Sequence, residues 1–489
     1  MLFKFVKLRI GEATRSAVWS KNAAINTVLA FCRMYMIVSL LAFFSCINNS
    51  PNLPEKQLRE LMNEIATAPV FVLPDTGYMP PAGSKYAEIR SIDYAAPLAI
   101  IDIAGNLENK KTLKISDFAS SVKYIYLQQP PDTKITSIRD VVSDDEHIFI
   151  NALEGLFCYS AEGQYLYTVF INQLESITLG KITYTRVVSG VLFNVDLLNG
   201  KLISRTCQWP SYNEVRLNVF DVKELDVQMR FNHQSGELKN FNPQPKYQRR
   251  IPPKKDNGLS SRYLLMDEMS LFISNSLTGV AVYGDTLCKF SNYDQPVIDR
   301  VFQQMGAGVY EPSNVYRING QIMLKTGFND TVFRITPPNR LTPVYVMNWG
   351  NFKPDISAYV AGSDLEGKLA LSSLVETRQF IFIHYTEGRD FPRRRDEGKV
   401  KDKWAVYDKT AKTVTHHISS DEQVMFENDI EPAGMPFYPT GINHRDEMYM
   451  TFSKEKIKNY ITTGKYRNDK LQIIYDNMID DGFYLMIVK

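Results

Sequence analysis

Adjacent imidazoles at His416-His417 and a set of tryptophans and tyrosines are the side chains of this 489-residue chain whose types could do chemistry. Two histidines chelate one metal ion when their rings converge. Neighbours in a strand point to opposite faces, so this pair is a poor chelate. His384 and His444 stand alone and read as polar residues near strand ends. Trp209, Trp349 and Trp404, joined by Tyr438, could stack on the apolar faces of sugars if they line a common mouth. They are the candidate ligand-binding residues, and packing in a β core is the competing reading for each. The chain carries no phosphate-binding glycine loop, metalloprotease helix, nucleophile elbow or EF-hand loop, and no Cys/His spacing of a zinc site. No metal and no cofactor are expected, and no catalytic residue can be named.

Charge excludes one partner class. With 56 Lys and Arg against 54 Asp and Glu the formal net charge is +2, so nucleic acid is a poor partner. Basic residues gather between Arg389 and Lys403, but Asp390, Asp396, Glu397 and Asp402 offset them, as in a solvated hairpin insertion. The Pro-rich basic stretch from Pro243 to Arg262 reads as an exposed loop, a possible contact for an acidic partner or glycan.

The N-terminal region carries an address. An apolar run from Met34 to Phe44 follows Arg33 and a basic flank and closes on Ser45-Cys46. That is short for a membrane span and fits a secretory signal, with cleavage before Cys46 and lipidation of its thiol. The alternative is an uncleaved anchor helix over Ala23 to Ser45. Residues 1–45 are expected to be the signal and 46–94 a tether with a short helix over Asn52 to Ala68 and a Pro/Gly-rich linker. Residues 95–489 form the body. The protein is expected in the cell envelope as an outer-membrane-anchored lipoprotein, with the periplasmic or surface side open. Of five cysteines, Cys158, Cys207 and Cys288 lie in the body, and Cys158 in Leu-Phe-Cys-Tyr reads as a small buried hydrophobe.

Short strands and turns must position whatever site the body holds. The clearest unit is a four-strand meander over Ile138–Val142, His147–Ala152, Leu156–Tyr159 and Gln164–Phe170. Looser copies follow, with Asn199-Gly200 and Asn319-Gly320 as hairpin signals and Asp226 to Phe231 as a further strand. A helix is expected from Lys454 to Tyr460. Gly482 to Lys489 is expected to pair with Ser121 to Leu127, which would close a ring. Fold class is all-β, a six-bladed β-propeller of about six four-stranded antiparallel blades. A β-sandwich followed by a mixed domain is the competing architecture.

Several segments carry a family resemblance: Leu113-Lys114-Ile115-Ser116-Asp117 with Val122 to Leu127, the Asp144-Asp145 turn with Leu156 to Gly163, Asn329 to Ile335 with Pro343 to Gly350, and Asn428-Asp429 with Pro436 to Pro439. Together they resemble the six-bladed β-propeller lipoproteins of unknown function from Gram-negative anaerobes. The resemblance implies a shape and an address, and no activity. One departure is the lack of a Gly-rich turn over Ile171 to Tyr184.

A non-catalytic binding or scaffold module for a glycan or protein partner, held at the membrane through Cys46, is the leading expectation. The alternative is a propeller enzyme, a hydrolase or lyase with a carboxylate or metal site in the central channel.

Overall fold

Strands dominate the computed structural model, which describes residues 98–131, 133–179, 182–208, 215–235, 314–327, 329–336, 340–354, 367–387, 401–418, 425–431, 434–462 and 482–489, with the shorter pieces 71–73, 87–89, 245–251, 262–267, 270–273, 277–281, 286–290, 472–473 and 475–476. The signal segment, Cys46 and the helix expected over Asn52 to Ala68 lie outside the described residues. No helix among the described residues is long and apolar enough to cross a membrane.

The first strands are β1 (Phe71–Leu73), β2 (Ala87–Ile89), β3 (Ala99–Asp102), β4 (Lys110–Lys111) and β5 (Val122–Leu127). Sheet I follows as β6 (Ile138–Ser143), β7 (His147–Ala152), β8 (Gly155–Ser160) and β9 (Tyr165–Ile171). Sheet II holds β10 (Gln173–Leu179), β11 (Ile182–Leu198), β12 (Lys201–Gln208), β13 (Val215–Asp221) and β14 (Tyr247–Ile251). Sheet III is β15 (Tyr263–Asp267), β16 (Ser270–Ile273), β17 (Thr278–Ala281) and β18 (Thr286–Phe290). Sheet IV is β19 (Asn314–Ile318), β20 (Gln321–Lys325), β21 (Thr331–Thr336) and β22 (Arg340–Asn348). Sheet V is β23 (Leu369–Glu376), β24 (Phe380–Glu387), β25 (Lys401–Asp408) and β26 (Thr413–His417). Sheet VI joins both ends of the chain, with β27 (Gly441–Ile442), β28 (Met448–Ser453), β29 (Phe483–Val488) and β5.

Apolar clusters lie between each sheet and the next, from Leu202 and Phe220 against Phe149 through to Leu485 and Ile487 against Ile148 and Ile150. Both faces of an inner sheet are therefore buried, which is why β7 and β8 are apolar without alternation. The architecture is a β-propeller. The expected closure is present: β29 pairs antiparallel with β5 from Phe483↔Leu127 to Val488↔Val122. Asn199-Gly200 and Asn319-Gly320 both turn through positive φ (49° and 70°, 49° and 75°), the backbone that tight hairpins need.

The expected repetition of six four-stranded blades needs correction. Five of the sheets are meanders continuous in the chain, and sheets II to V exceed four strands. Sheet II has five strands of its own, and a belt adds one strand more to each of the four. β1, β2, β3 and β4 add in parallel to β14, β18, β22 and β26 in turn, so one segment covers the outer edges of four successive sheets. β1 and β2 fall in the stretch read from sequence as linker. The belt is clasped by the histidine pair, whose rings face opposite ways as strand geometry requires. His416 Nε2 donates to Ile103 O at 3.2 Å and Nδ1 accepts the Tyr385 hydroxyl at 2.7 Å. His417 Nδ1 accepts the Leu113 N–H at 3.0 Å, and Nε2 donates to Met425 O at 3.1 Å. Burial lowers both imidazole pKa values, opposed by the bonds to those carbonyls.

Two further expectations change. Asp226 to Phe231 is not a strand but part of helix α1 (Val222–Ser235), because Asp221 Oδ1 caps the Lys223 N–H and Val222, Leu225 and Met229 share a buried face. Within the Pro-rich basic stretch, 247–251 is strand β14 rather than loop. The helix expected near the C-terminus is present as α2 (Lys454–Thr462).

Candidate functional site at the ring axis

In each meander the innermost run of strand faces the ring axis. β6, the last part of β11, β15, β19, β23 and β27 thus surround a cavity of about 420 Å³, with part of β28. Its charged lining residues are Arg139, Asp140, Asp196, Arg262, Arg317 and Glu376. Charge inside otherwise apolar strands costs desolvation unless partners are supplied, and the walls supply them.

Near the turns that follow the inner strands, Asp196 Oδ2 accepts the Leu265 N–H at 2.7 Å and the Arg317 guanidinium at 2.6 Å. Arg317 also donates to Leu265 O at 2.7 Å and Gly320 O at 2.6 Å, which ties sheets II, III and IV together. Glu376, 3% exposed, accepts the Tyr316 hydroxyl at 2.7 Å, the Tyr345 hydroxyl at 2.8 Å and the Lys409 ammonium at 2.6 Å. Burial first, and then the Glu376 charge, raises both phenol pKa values, so these hydroxyls stay protonated donors.

The leading ends of the inner strands form a second level. Arg262, exposed, donates to Val315 O at 3.4 Å, and the Asn314 side chain accepts the Leu374 N–H at 3.2 Å. Burial raises the Asp140 pKa, while the Arg262 charge and the N–H groups of Val195 and Val141 oppose the rise. Behind Arg139 lies Glu154, 1% exposed, which accepts the Thr136 hydroxyl at 2.5 Å and has no hydrogen-bond partner on its second oxygen. Burial pushes the Glu154 carboxyl up to about 7 against the Thr136 and Ser137 bonds and the Arg139 charge. Among the described residues no three His, Cys, Asp or Glu side chains converge as a metal site would need.

The aromatic candidates lie elsewhere. Trp349, 3% exposed, sits edge-on to Tyr385 in the core between sheets IV and V. Trp404, 4% exposed, stacks on His384 at 4.7 Å and lies 6.3 Å from the Tyr438 ring in the core between sheets V and VI. Lys456 Nζ covers Tyr438 at 4.7 Å from the ring centre. Trp209 lies outside the described residues. The reason is positional: Trp404 is on the third strand of its meander and Trp349 follows the fourth, and strands are spaced about 4.8 Å apart, so both stand well away from the axis. Sequence reasoning missed the cavity's charged residues. The available signal was an ionisable side chain inside the apolar strand that opens each meander, as in Arg139-Asp140, Arg317 and Glu376.

Residues 81–463 match the model of a family described as a domain of unknown function, DUF4933, and the chain belongs to that family. No curated protein matches the sequence. A crystal structure of a Bacteroides fragilis protein described as exported is similar over 80% of this chain and 99% of that one, at 12% identity and a TM-score of 0.52. The N-terminal domain of Nup159 matches at 9% identity and a TM-score of 0.33, covering 73% of this chain and 77% of that one. The extracellular domain of a Bacteroides thetaiotaomicron one-component system matches at 16% identity and a TM-score of 0.28, covering 68% and 38%. The first likeness agrees with the propeller fold, and the other two add nothing to it.

Proposed function

We propose that this member of the DUF4933 family is an extracytoplasmic, lipid-anchored propeller that binds a glycan or protein partner at one mouth of its axial cavity without chemical turnover. In this reading the composite sheet VI counts as a sixth blade, and Cys46 carries the anchor. The observation that carries the binding role is the lining itself: its acids Asp196 and Glu376 are already held by wall donors, which makes them structural rather than reactive. Such a cavity is within the usual size range of small-ligand sites. A likeness to a protein described as exported is in keeping with the proposed address.

A glycan array with the mature protein tests binding, and loss of every signal would remove this reading. Cys46→Ala is expected to leave the membrane fraction; a variant that stays there at unchanged mass favours an anchor helix. The rival enzyme reading has one observation in its favour. Glu154, with a carboxyl poised near 7 beside Arg139, has the pKa of a general acid or base. Turnover of a glycosidic or uronate substrate that is abolished in Glu154→Gln would make the rival the better account.

A further inference from the structure

We propose that the histidine pair on β26 is an acid-sensitive latch: protonation of His417, seconded by His416, releases the belt between Ile101 and Ile115 from the outer edges of sheets IV and V. The latch sits on the outermost strands, away from the ring axis, so it stands or falls apart from the binding role proposed above.

The bonding of His417 admits one protonation state. Its Nδ1 accepts the Leu113 N–H at 3.0 Å and its Nε2 donates to Met425 O at 3.1 Å. The ring is buried, with Phe426 edge-on at 5.0 Å. A second proton has to sit on Nδ1, where it faces the Leu113 N–H, a backbone donor that cannot turn into an acceptor. His416 is also buried but less strictly bound. Its Nε2 donates to Ile103 O at 3.2 Å and its Nδ1 accepts the Tyr385 hydroxyl at 2.7 Å. That hydroxyl can rotate and accept instead, so His417 is the trigger. Between the two imidazoles' contacts the belt is held by little else on β26: the His416 N–H donates to Asn109 O at 2.8 Å, the Ile418 N–H to Lys111 O at 3.0 Å, and the Asn109 side chain to Val414 O at 2.7 Å.

The charged groups around the pair do not favour a proton. Lys403 on β25 and Lys110 on β4 act on His416, with the Tyr385 phenol on β24. Lys111, the register partner of His417, turns its ammonium to Asp117. Asp102 on β3 is turned to Asn348 and the Gly105 N–H, and Glu108 to Lys110. Burial lowers both imidazoles below the ordinary 6.5, the bonds to Ile103 O and Met425 O oppose it, and the two lysine charges lower His416 further. Asp429 secures the next turn of the belt. Its bonds to the Ser116 hydroxyl and N–H outweigh burial and hold it below the ordinary carboxylate range, so this contact persists while the histidines titrate.

Released imidazoles titrate at their ordinary value. Above about 6.5 neither state is protonated and the belt is fully held. Below it the released state binds protons that the closed state refuses. Each pH unit then raises the released fraction up to about tenfold per histidine, until the closed state's own lower pKa is reached. Release bares the outer edges of β22 and β26, whose backbone groups β3 and β4 occupy.

The test is amide hydrogen exchange of the full-chain protein from pH 7.5 to pH 5, read as protection corrected for the intrinsic rate. Protection at Leu113 is expected to fall about tenfold per pH unit below 6.5, while Phe157 and Tyr159 in β8 keep theirs. His417→Gln keeps a donor and an acceptor without titrating and is expected to flatten the slope. Should glutamine itself loosen the belt, the wild-type imidazole decides: by NMR His417 is expected as the Nε2–H tautomer at pH 7, with a pKa below 6.5. Protection at Leu113 that ignores pH overturns the latch, as does an unchanged slope in His417→Gln. An equal loss at Phe157 and Tyr159 does the same, and so does a His417 that titrates at or above 6.5.

Discussion

His147 offers the sharpest test of the electrostatics. Its ring is 7% exposed between sheet I and helix α1, with Nδ1 3.2 Å from Asp144 Oδ1 and Nε2 3.8 Å from Asp226 Oδ1. The Phe149 ring packs 5.8 Å away. Burial alone would lower this imidazole's pKa, but the hydrogen bond to Asp144 and the charges of Asp144 and Asp226 outweigh it and hold His147 at about 9 against an ordinary 6.5. At 1.36 kcal/mol per pH unit, the charged form contributes about 3 kcal/mol to folding. Below pH 6.5 folded and unfolded chains both carry the proton, so the whole contribution is present. Between 6.5 and 9 the unfolded chain releases its proton while the folded one keeps it, and the contribution fades, to vanish above 9. Urea unfolding of the wild type from pH 6 to pH 10 should therefore show a loss of about 3 kcal/mol that His147→Gln does not share. The two should differ at pH 6 and converge near pH 10. Parallel curves for the two proteins across that range would refute the carboxylate sandwich, and a histidine titrating near 6.5 by NMR would do the same.

Arg317→Ala leaves Asp196 buried without its guanidinium and should cost about 3–5 kcal/mol in denaturant unfolding, with Arg317→Lys recovering part of it. Gly163 has φ +86° and an added Cβ would press on the Tyr126 carbonyl oxygen, so Gly163→Ala should destabilise by about 1–3 kcal/mol; a neutral result would mean that the β8–β9 turn does not meet the closing sheet as described. His417→Ala strands the Leu113 N–H and the Met425 carbonyl, and a loss of about 1–3 kcal/mol is expected, with faster hydrogen exchange at Leu113 as the specific readout. Protection at Leu113 unchanged from the wild type would show that the clasp does not hold the belt.

Much of the architecture was legible because it is local. The short strand-forming runs and the turn chemistry of Ile138 to Phe170 name four strands without reference to the rest of the chain, and Asn-Gly pairs carry their own backbone preference at 199-200 and 319-320. The terminal strand, an apolar run that stops at Lys489, has one economical partner in a closed sheet, and Val122 to Leu127 is that partner. His416 and His417 were separable as non-chelating because strand geometry alone sends adjacent rings apart. What escaped is non-local. A parallel strand of two or three residues, such as Lys110–Lys111 beside His416–His417, has no hydrophobic period to reveal it; it exists because an outer edge 300 residues away in sequence lacks a partner. Likewise Arg139, Asp196 and Arg317 are unremarked charges in three separate strands until ring closure brings them to one axis, beside Arg262 just ahead of β15. The aromatics were chosen for chemistry they could do anywhere, but their strand's place within its sheet, counted outward from that axis, decides that Trp349 and Trp404 pack rather than face the cavity.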